Sequence, residues 1–466
     1  MKFHFIGIAG TGMGAVAGLL KSAGHEVRGS DEAVYPPMSD ALKRMGIPVM
    51  CPFDEKNLDW GPDEVVVGNV CRRDHKEVFA AEKAKIPLTS FPAILEKRIL
   101  PGRKSIVVSG THGKTTTSTL LAYLLWKTGQ NPGWFIGGIP RDLPTACTTG
   151  QGEPFVLEGD EYDTAFFDKG SKFLHYCPFA VLLTGVEFDH ADIFPNIDAV
   201  TASFSQLLHL VPAHGILLAS ADNDIAQKLI RTRAGLTYGL LDEDADYRVT
   251  IHERTSDGWY FSMHGRKADP TVLYFCPLMG LHNLRNTAGA LAMCMELGVS
   301  PHNLAKPLAV FKGVRRRQEE LAQGRGIIAV DDFGHHPTAI RVTIDALLQR
   351  YPDRRLVVVF EPRSATSRRA VFQHEYAQVL AAAPRVLLAP AYDQSRIPED
   401  QRLNLEILQK DITMAKAHAT LHEDFDNLYD TLCTDTQPGD LVVFFSSGAI
   451  GGIKQRFAEF LSPPSP

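Results

Sequence analysis

The stretch that most constrains this chain is SIVVSGTHGKTTTSTLLAYLL, which runs from Ser105 to Leu125. An apolar run, a short loop with two glycines and a second apolar run at helical spacing predict a strand, a loop and a helix. Such a loop is where α/β proteins commonly bind phosphate. It departs from the phosphate-loop pattern G-x-x-x-x-G-K-[ST], because Val108 stands where the first glycine is expected.

The loop nevertheless keeps the groups that act on a nucleotide. Gly110 and Gly113 free the backbone to wrap phosphates. Lys114 offers a cation to the β- and γ-phosphates, and Thr115 offers a hydroxyl to Mg²⁺. The alternative is a glycine-containing turn that carries a solvated lysine. We predict ATP binding by Gly110, Thr111, His112, Gly113, Lys114, Thr115 and Thr116.

A second glycine-rich turn, GIAGTGMG, opens the chain. It follows a predicted strand and precedes a predicted helix, and Asp31 closes the next strand. This context is typical of a dinucleotide or pyrophosphate site, because glycine lets backbone amides approach phosphate oxygens at a helix start. The spacing does not match G-x-G-x-x-G in full, so a tight structural turn remains an alternative, and NAD is a weaker one.

Length and element order predict the domain organisation. A chain of 466 residues corresponds to about three domains. Strands and helices alternate throughout, which indicates parallel sheets. Breaks at Pro101–Gly102 and at the basic link FKGVRRRQEE divide the chain into residues 1–102, 103–318 and 319–466. We predict an α/β protein with a Rossmann-like first domain, a central domain like the P-loop ATPases, and a Rossmann-like third domain.

Composition and charge exclude several classes of protein. A formal net charge of -6 provides no basic field for nucleic acid. The seven cysteines form no C-x-x-C pair, so we expect free thiols in a reducing compartment. The sequence has no signal-peptide pattern, and no apolar run approaches the roughly 20 residues that cross a bilayer. We therefore expect a cytoplasmic protein without membrane or nucleic-acid partners; the oligomeric state stays open.

Two acidic clusters follow apolar strand runs, LEGDEYD near Glu158 and GVEFDHADIF near His190. The carboxyl ends of parallel strands meet at one crevice, so these side chains are expected to converge there. Carboxylates with one imidazole suit Mg²⁺ or Mn²⁺ beside nucleotide phosphates. Taken alone, either cluster could be a solvated acidic turn. Together they predict a metal site next to the ATP loop.

Four further polar motifs could either contact a ligand or have a structural role, and the sequence does not decide between the two. GLHNLRN places two asparagines on one helix face, for adenine or ribose or for capping. RRR at the second domain junction could grip a transferring phosphate or be a solvated charge run. DDFGHHPTAI offers nucleotide contacts or a helix cap, with a helix that begins near Pro337. FEPRS ends a strand with Arg363 and Ser364, which could bind a carboxylate.

In order along the chain, these motifs resemble the Mur ligase family, ATP-dependent amide-forming enzymes of bacterial cell-wall synthesis. The family loop G-T-x-G-K-[ST]-[ST] matches GTHGKTT in full, which accounts for Val108. The E-x-D-E cluster, the D-H pair, the H-N-x-x-N helix and the D-x-x-H-H-P-T loop also match. The resemblance covers nearly the whole chain. It implies three α/β domains and an enzyme that uses ATP and Mg²⁺.

The resemblance implies a reaction in cell-wall peptide recycling. The run EGDEYDTAFFDKGSKFLHYCP has Tyr162 where members that add L-alanine carry serine, and it is similar to members that reattach a recovered tripeptide. The implied substrates are UDP-N-acetylmuramic acid, L-Ala-γ-D-Glu-meso-diaminopimelate and ATP, and the implied route passes through an acyl phosphate. Alternatives are an L-alanine-adding ligase of the same family, a nicotinamide-dependent dehydrogenase and a non-catalytic nucleotide-sugar sensor.

The resemblance also assigns roles to residues. Lys114, His190 and Arg317 are implied to be catalytic, and Thr115, Glu158 and His190 to bind metal. It implies further ATP contacts from His282, Asn283, Asn286, Arg317, Asp332 and His335. UDP-N-acetylmuramic acid would lie against Gly10, Thr11, Gly12, Met13, Ser30 and Asp31, and the peptide against Arg363 and Ser364. No lysine lies between Lys172 and Lys228, so the carbamylated lysine of several family members is not expected.

Overall fold

A computed structural model describes residues 1–35, 38–69 and 71–462. Within these ranges the chain forms sheets of five, ten and six strands and one separate two-stranded hairpin. The predicted three-domain α/β architecture is confirmed. All seven cysteines are free thiols, as expected. In the described part of the chain, no helix is long and apolar enough to cross a membrane.

The first sheet has five parallel strands in the order β3-β2-β1-β4-β5. Its strands are β1 (Lys2–Ile6), β2 (Glu26–Ser30), β3 (Val49–Met50), β4 (Glu64–Val67) and β5 (Leu88–Ser90). Its helices are α1 (Thr11–Ser22), α2 (Met38–Arg44), α3 (Lys76–Lys83) and α4 (Phe91–Arg98). The strand order reverses beside β1, so the crevice of this domain lies at the carboxyl ends of β1 and β4. The glycine-rich turn follows β1 directly.

The central sheet has the order β17-β16-β15-β14-β13-β12-β6-β9-β7-β8, with β10 and β11 forming the separate hairpin. Its strands are β6 (Lys104–Ser109), β7 (Gly133–Phe135), β8 (Cys147–Thr148), β9 (Pro154–Gly159), β10 (Asp163–Ala165), β11 (Asp168–Ser171), β12 (Ala180–Leu183), β13 (Ile216–Ser220), β14 (Leu236–Gly239), β15 (Tyr247–Arg254), β16 (Trp259–Gly265) and β17 (Tyr274–Cys276). Its helices are α5 (Lys114–Lys127), α6 (Ile197–Leu210), α7 (Asp224–Arg231), α8 (Leu281–Glu296) and α9 (Pro301–Ala309). The strands β9, β6 and β12 are parallel neighbours, so the segments after them meet at one edge.

The third sheet has the order β18-β19-β23-β20-β21-β22, and β18 is its antiparallel strand. Its strands are β18 (Glu319–Gly324), β19 (Ile327–Asp332), β20 (Arg355–Phe360), β21 (Arg385–Leu388), β22 (His418–Leu421) and β23 (Asp440–Phe445). Its helices are α10 (Pro337–Arg350), α11 (Gln373–Leu380), α12 (Leu405–Met414), α13 (Phe425–Asp435) and α14 (Ile453–Leu461). The helix predicted near Pro337 begins at that residue.

The continuous apolar strands are explained by helices on both faces of the sheets. In β20, Val358 and Phe360 belong to one hydrophobic cluster, whereas Val357 and Val359 belong to another. Successive side chains point to opposite faces, so a strand that is covered on both sides needs no polar alternation. The carboxyl end of β20 carries Glu361 and the loop that faces the central domain. The fold therefore directs the polar loops of the second and third domains towards each other.

Candidate active site

The loop from Gly110 to Gly113 joins the end of β6 to the start of α5, as predicted from its sequence. Both glycines have positive φ angles, +128° and +80°. A Cβ at Gly110 would lie 2.7 Å from the carbonyl oxygen of Gly185, and one at Gly113 would collide with the side chain of Asn286. Close backbone approach and left-handed φ thus require glycine at both positions. The first amides of α5 face the loop without a side-chain cap.

Lys114 is held over this loop as a buried cation. Its Nζ lies 2.9 Å from Oε2 of Glu161 and donates to the carbonyl oxygen of Gly110 at 2.7 Å. Burial opposes the charged form, but the charges of Glu161 and Asp160 outweigh burial and raise the lysine pKa. Lys114 is therefore fully protonated at neutral pH and faces the phosphate loop.

Of the three predicted metal-binding residues, Thr115 and Glu158 contact each other, whereas His190 contacts Glu161. Thr115 donates its hydroxyl proton to Oε1 of Glu158 at 2.6 Å, and the amide of Gly137 donates to Oε2 of Glu158 at 2.7 Å. His190 Nε2 instead lies 3.1 Å from Oε1 of Glu161. Burial would lower the pKa of His190, but its hydrogen bond and charge pairing with Glu161 raise it. The adjacent hydroxyl and carboxylate oxygens of Thr115 and Glu158 suit a hard divalent cation such as Mg²⁺.

The loop after β12 connects the phosphate loop to the third domain. Thr338 donates to Oε2 of Glu187 at 2.8 Å, and His112 Nε2 lies 3.3 Å from the same atom. Burial opposes ionisation of Glu187, but its contacts with His112 and Thr338 lower the pKa to about 2. His336 caps α10: its Nδ1 accepts from the Thr338 amide at 3.2 Å, and its Nε2 donates to the carbonyl oxygen of Phe188 at 3.1 Å. Both ring nitrogens of His336 thus form hydrogen bonds where the third domain meets the central domain.

The three arginines of the link have different environments. Arg316 donates to the carbonyl oxygens of Ser446 and Gly448 at 2.8 and 3.0 Å, which anchors the link in the third domain. Arg317 Nη2 lies 3.5 Å from Oγ1 of Thr115. The side chain of Arg315 is 62% exposed. Arg317 is therefore the arginine of this link that reaches the phosphate loop.

Comparison with protein families gives matches along the whole length of the chain. The model of the Mur ligase family catalytic domain matches residues 2–100, and that of the Mur ligase middle domain matches residues 108–294. The model of the Mur ligase glutamate ligase domain matches residues 316–448. The chain belongs to the Mur ligase family. The predicted enzyme class, an ATP-dependent ligase, is confirmed, and the dehydrogenase and sensor alternatives are not supported.

Individual Mur ligases match over nearly full length. An Escherichia coli protein called UDP-N-acetylmuramate–L-alanyl-γ-D-glutamyl-meso-2,6-diaminoheptandioate ligase is 35% identical, with 99% of this chain and 98% of that protein covered. A UDP-N-acetylmuramate–L-alanine ligase of Desulfitobacterium hafniense is 31% identical, with 98% and 99% covered. The crystal structure of a murein peptide ligase from Psychrobacter arcticus superimposes with a TM-score of 0.74 at 31% identity, and each chain is covered completely.

The first-domain crevice of this Mur ligase contains the predicted glycine-rich turn. Ser30, however, does not have the position that the predicted ligand contact requires. Gly10 precedes α1, and the helix begins at Thr11. Asp31 accepts the amide proton of Ala9 at 2.8 Å, which braces the turn. Ser30 is fully buried and donates to Glu77. Its hydroxyl is therefore not available to a nucleoside, because the side chain points into a polar network behind the crevice. Met13 also packs its side chain in the core, so its backbone amide alone faces the turn.

The residues expected near adenine surround the second domain junction. Asn283 donates to the carbonyl oxygen of Met279 at 2.8 Å and does not cap α8, whose N-cap is Gly280, while Asn286 packs against the phosphate loop. Asp332 accepts amide protons from Gln318 at 2.9 Å and Gly334 at 2.7 Å. Burial of Asp332 raises its pKa, with Arg317 and these amides opposing that rise. Asp332 thus braces the arginine link, and its predicted contact with ribose stays a prediction.

His282 and His335 complete this group of predicted base-site residues. His282 Nε2 lies 3.2 Å from Nε2 of Gln318, and burial lowers its pKa to about 4. His335 Nε2 lies 3.9 Å from Oδ2 of Asp189, and burial lowers its pKa as well. Both rings are neutral at pH 7 and lie beside the link. Neutral imidazoles are suited to hydrogen bonding with a base or a ribose hydroxyl.

Three residues beyond the predicted site residues contribute to the site. Glu161 joins Lys114 to His190, and Glu187 joins the phosphate loop to α10. The ring of Phe333 lies 4.9 Å from the guanidinium carbons of both Arg316 and Arg317. The sequence signalled the two glutamates as members of acidic clusters, but it could not distinguish them from their neighbours. Phe333 carries no local sequence signal, because its place in the site depends on tertiary contacts with the arginine link.

Proposed function

We propose that this Mur ligase joins L-Ala-γ-D-Glu-meso-diaminopimelate to UDP-N-acetylmuramic acid and converts ATP to ADP and phosphate. The observation that carries the proposal is the 35% identity over 464 residues to the Escherichia coli ligase whose name states that acceptor. The ring of Tyr162, which distinguishes this motif from that of alanine-adding members, lies 4.3 Å from the His190 ring between centroids. We propose a cytoplasmic site of action, where ATP is available.

The chemistry begins with activation of a carboxylate. The lactyl carboxylate of the sugar nucleotide attacks the γ-phosphorus of ATP, ADP leaves, and an acyl phosphate forms. The peptide amine then attacks the acyl carbon, the C–O bond to phosphate breaks, and the ammonium loses a proton as the amide forms. Lys114 and Arg317 are positioned to stabilise negative charge on the transferring phosphoryl group. Without phosphorylation, the carboxylate has no adequate leaving group.

We further propose that Thr115 holds one Mg²⁺, that Glu158 and His190 hold a second, and that ATP lies between the phosphate loop and the second domain junction. When bound, Mg²⁺ neutralises phosphate charge. The hydrogen bond from Thr115 to Glu158 supports adjacent cation positions, since the hydroxyl and the carboxylate lie side by side at the phosphate loop. UDP-N-acetylmuramic acid would use the amides of Gly10 and Thr11 at the start of α1.

The incoming peptide requires a separate subsite in the third domain. A cleft of about 360 Å³ there is lined by Asp192 of the central domain together with Arg368, Tyr392, Asp393 and Arg396. It adjoins the reaction centre, because the amide of His190 donates to Thr366 at 3.0 Å. Its mixed charges fit an amino-acid end that carries both an ammonium and a carboxylate.

Arg363 and Ser364 lie beside this cleft. The guanidinium of Arg363 lies 4.0 Å from the centroid of the Tyr392 ring and 3.5 Å from Glu361. Ser364 accepts the amide proton of Ser367 at 3.0 Å and so shapes the loop that lines the cleft. We propose that Arg363 binds a distal carboxylate of the peptide and that Ser364 acts through loop geometry.

Phosphate release tests the proposed reaction directly. With UDP-N-acetylmuramic acid, ATP and Mg²⁺, we expect release with the tripeptide to exceed release with L-alanine by at least about tenfold in kcat/KM, since the third-domain subsite binds the longer acceptor. EDTA should abolish release. Release with L-alanine alone would contradict the proposal and favour the alanine-adding reaction. Mass spectrometry of the product identifies the new amide bond.

The peptide subsite makes a second prediction. Arg363→Ala and Arg396→Ala should each raise the KM for the tripeptide about tenfold, because each removes a charge-assisted hydrogen bond to a carboxylate. The KM for ATP should change by less than about twofold. Lys410→Ala, an exposed residue of the same domain, is the matched control. Unchanged tripeptide KM values in both arginine variants would contradict this location of the peptide.

A further inference from the structure

The hairpin of β10 and β11 crosses from the central domain to the first domain. At its turn, Phe166 packs against the first-domain cluster that contains Ile6, Val67 and Cys71. Ile6 and Val67 are the last residues of β1 and β4, whose carboxyl ends form the crevice of that domain. The hairpin therefore lies where a nucleotide sugar in the first domain would extend towards the ATP loop.

Lys172 follows β11 at the base of this hairpin and is 9% exposed. Its Nζ lies 2.8 Å from Oδ2 of Asp160 and within 5.4 Å of the centroid of the Tyr162 ring. It also lies 5.9 Å from the centroid of Phe91, the first residue of α4. The Phe91 ring is 3.5 Å from the position that a Cβ on Gly12 would take. One aromatic ring thus separates the cation from the glycine-rich turn.

Another aromatic ring separates Lys172 from the reaction centre, because Tyr162 also contacts His190. Among the described residues, the lysine ammonium has one hydrogen-bond partner, so two of its three protons remain free to bind another acceptor. A buried charge is costly unless it is well paired, and a purely structural pair at this position could be replaced by apolar residues. The side chain of Asp160 is 35% exposed, so the pair is accessible from solvent.

We propose that Lys172 binds an anionic oxygen of the nucleotide-sugar substrate, and so fixes that substrate between the first and central domains. This assignment rests on the proposed function, in which UDP-N-acetylmuramic acid is that substrate. The substrate offers two kinds of anionic oxygen, those of its diphosphate and those of its lactyl carboxylate. With the diphosphate at the Gly12 turn and the carboxylate near His190, as the proposed function requires, one aromatic ring would separate Lys172 from either position.

Binding measured by calorimetry tests the proposal with two ligands. UDP-N-acetylmuramic acid carries the diphosphate and the carboxylate, whereas UDP-N-acetylglucosamine carries the diphosphate alone. Lys172→Met keeps the length of the side chain but removes the charge, and it should weaken binding of UDP-N-acetylmuramic acid at least about tenfold. ATP affinity should change by less than about twofold. Lys172→Arg retains a cation and should keep affinity within about threefold of the wild type.

The matched control is Lys169→Met on the same hairpin. Lys169 pairs with Asp163 at 3.0 Å, but its side chain is 71% exposed, so its loss should leave both affinities unchanged. Equal weakening of both ligands by Lys172→Met assigns the lysine to the diphosphate, and weakening of UDP-N-acetylmuramic acid alone assigns it to the carboxylate. If Lys172→Met melts early, Lys172→Gln provides the same comparison.

Wild-type affinity for both ligands in folded Lys172→Met or Lys172→Gln would overturn the proposal and leave Lys172 as a structural partner of Asp160. A different result concerns the proposed function itself. If the wild-type protein does not bind UDP-N-acetylmuramic acid at all, that function and the assignment of Lys172 both fail. The wild-type titration therefore separates the two cases before any variant is compared.

Discussion

Lys114→Ala is expected to lower ATP-dependent phosphate release about a thousandfold, measured with saturating UDP-N-acetylmuramic acid and tripeptide. Lys114 is a buried cation directed at the phosphate loop, and removal of one preorganised charge from a transferring phosphoryl group has an effect of this order. Loss of the lysine also leaves Glu161 buried without its cation, so a lower melting temperature should accompany the kinetic defect.

Lys104→Ala is the control for this experiment. Lys104 begins β6, the strand that ends at the phosphate loop, and its 48% exposed side chain pairs with Glu153 at 2.8 Å. An exposed pair contributes little to stability, so turnover and melting temperature should stay close to wild type. Turnover above about a tenth of wild type in folded Lys114→Ala would contradict the catalytic role of the lysine.

The second large effect is expected at the arginine link. Arg317→Ala should lower kcat about a thousandfold and change the KM for ATP by less than about threefold. This pattern is expected of a cation that acts chiefly in the transition state. Its guanidinium lies 3.5 Å from the Thr115 hydroxyl at the phosphate loop. Single-turnover phosphate release separates the chemical step from product release.

The neighbouring arginines provide two matched comparisons. Arg315→Ala removes a 62% exposed side chain and should leave kcat unchanged. Arg316→Ala removes two hydrogen bonds to carbonyl oxygens of the third domain, so we expect a lower melting temperature. A kcat loss in Arg316→Ala as large as that in Arg317→Ala would show that the link acts through domain position rather than through a phosphate contact.

Several features of this protein follow from local sequence alone. Apolar strand runs and helical spacing gave the three α/β domains, and the loop GTHGKTT gave the phosphate site, because both depend on residues close together in the chain. Gly110 and Gly113 adopt the positive φ angles that such a loop requires. The antiparallel strands β15–β17 were not predicted. These strands pair as sequential hairpins, but most residues of β15 are exposed and polar, so β15 lacks the apolar run that predicts a buried strand.

Only the tertiary structure shows which of several neighbouring side chains makes a given contact. In RRR, sequence could not separate the arginine that anchors the link from the one that reaches Thr115. In GSD, Ser30 and Asp31 are adjacent, yet one side chain enters a buried network and the other braces the glycine turn.

The sequence by itself determined the family, the energy source and the order of the domains, since these depend on short contiguous motifs and on their order along the chain. The tertiary structure decided which charges meet: Glu161 joins Lys114 to His190, and Lys172 lies between the first-domain crevice and the reaction centre. These contacts join segments that are far apart in the chain. The orientation of each side chain is fixed by burial and pairing within the folded protein, and a linear motif does not carry that information.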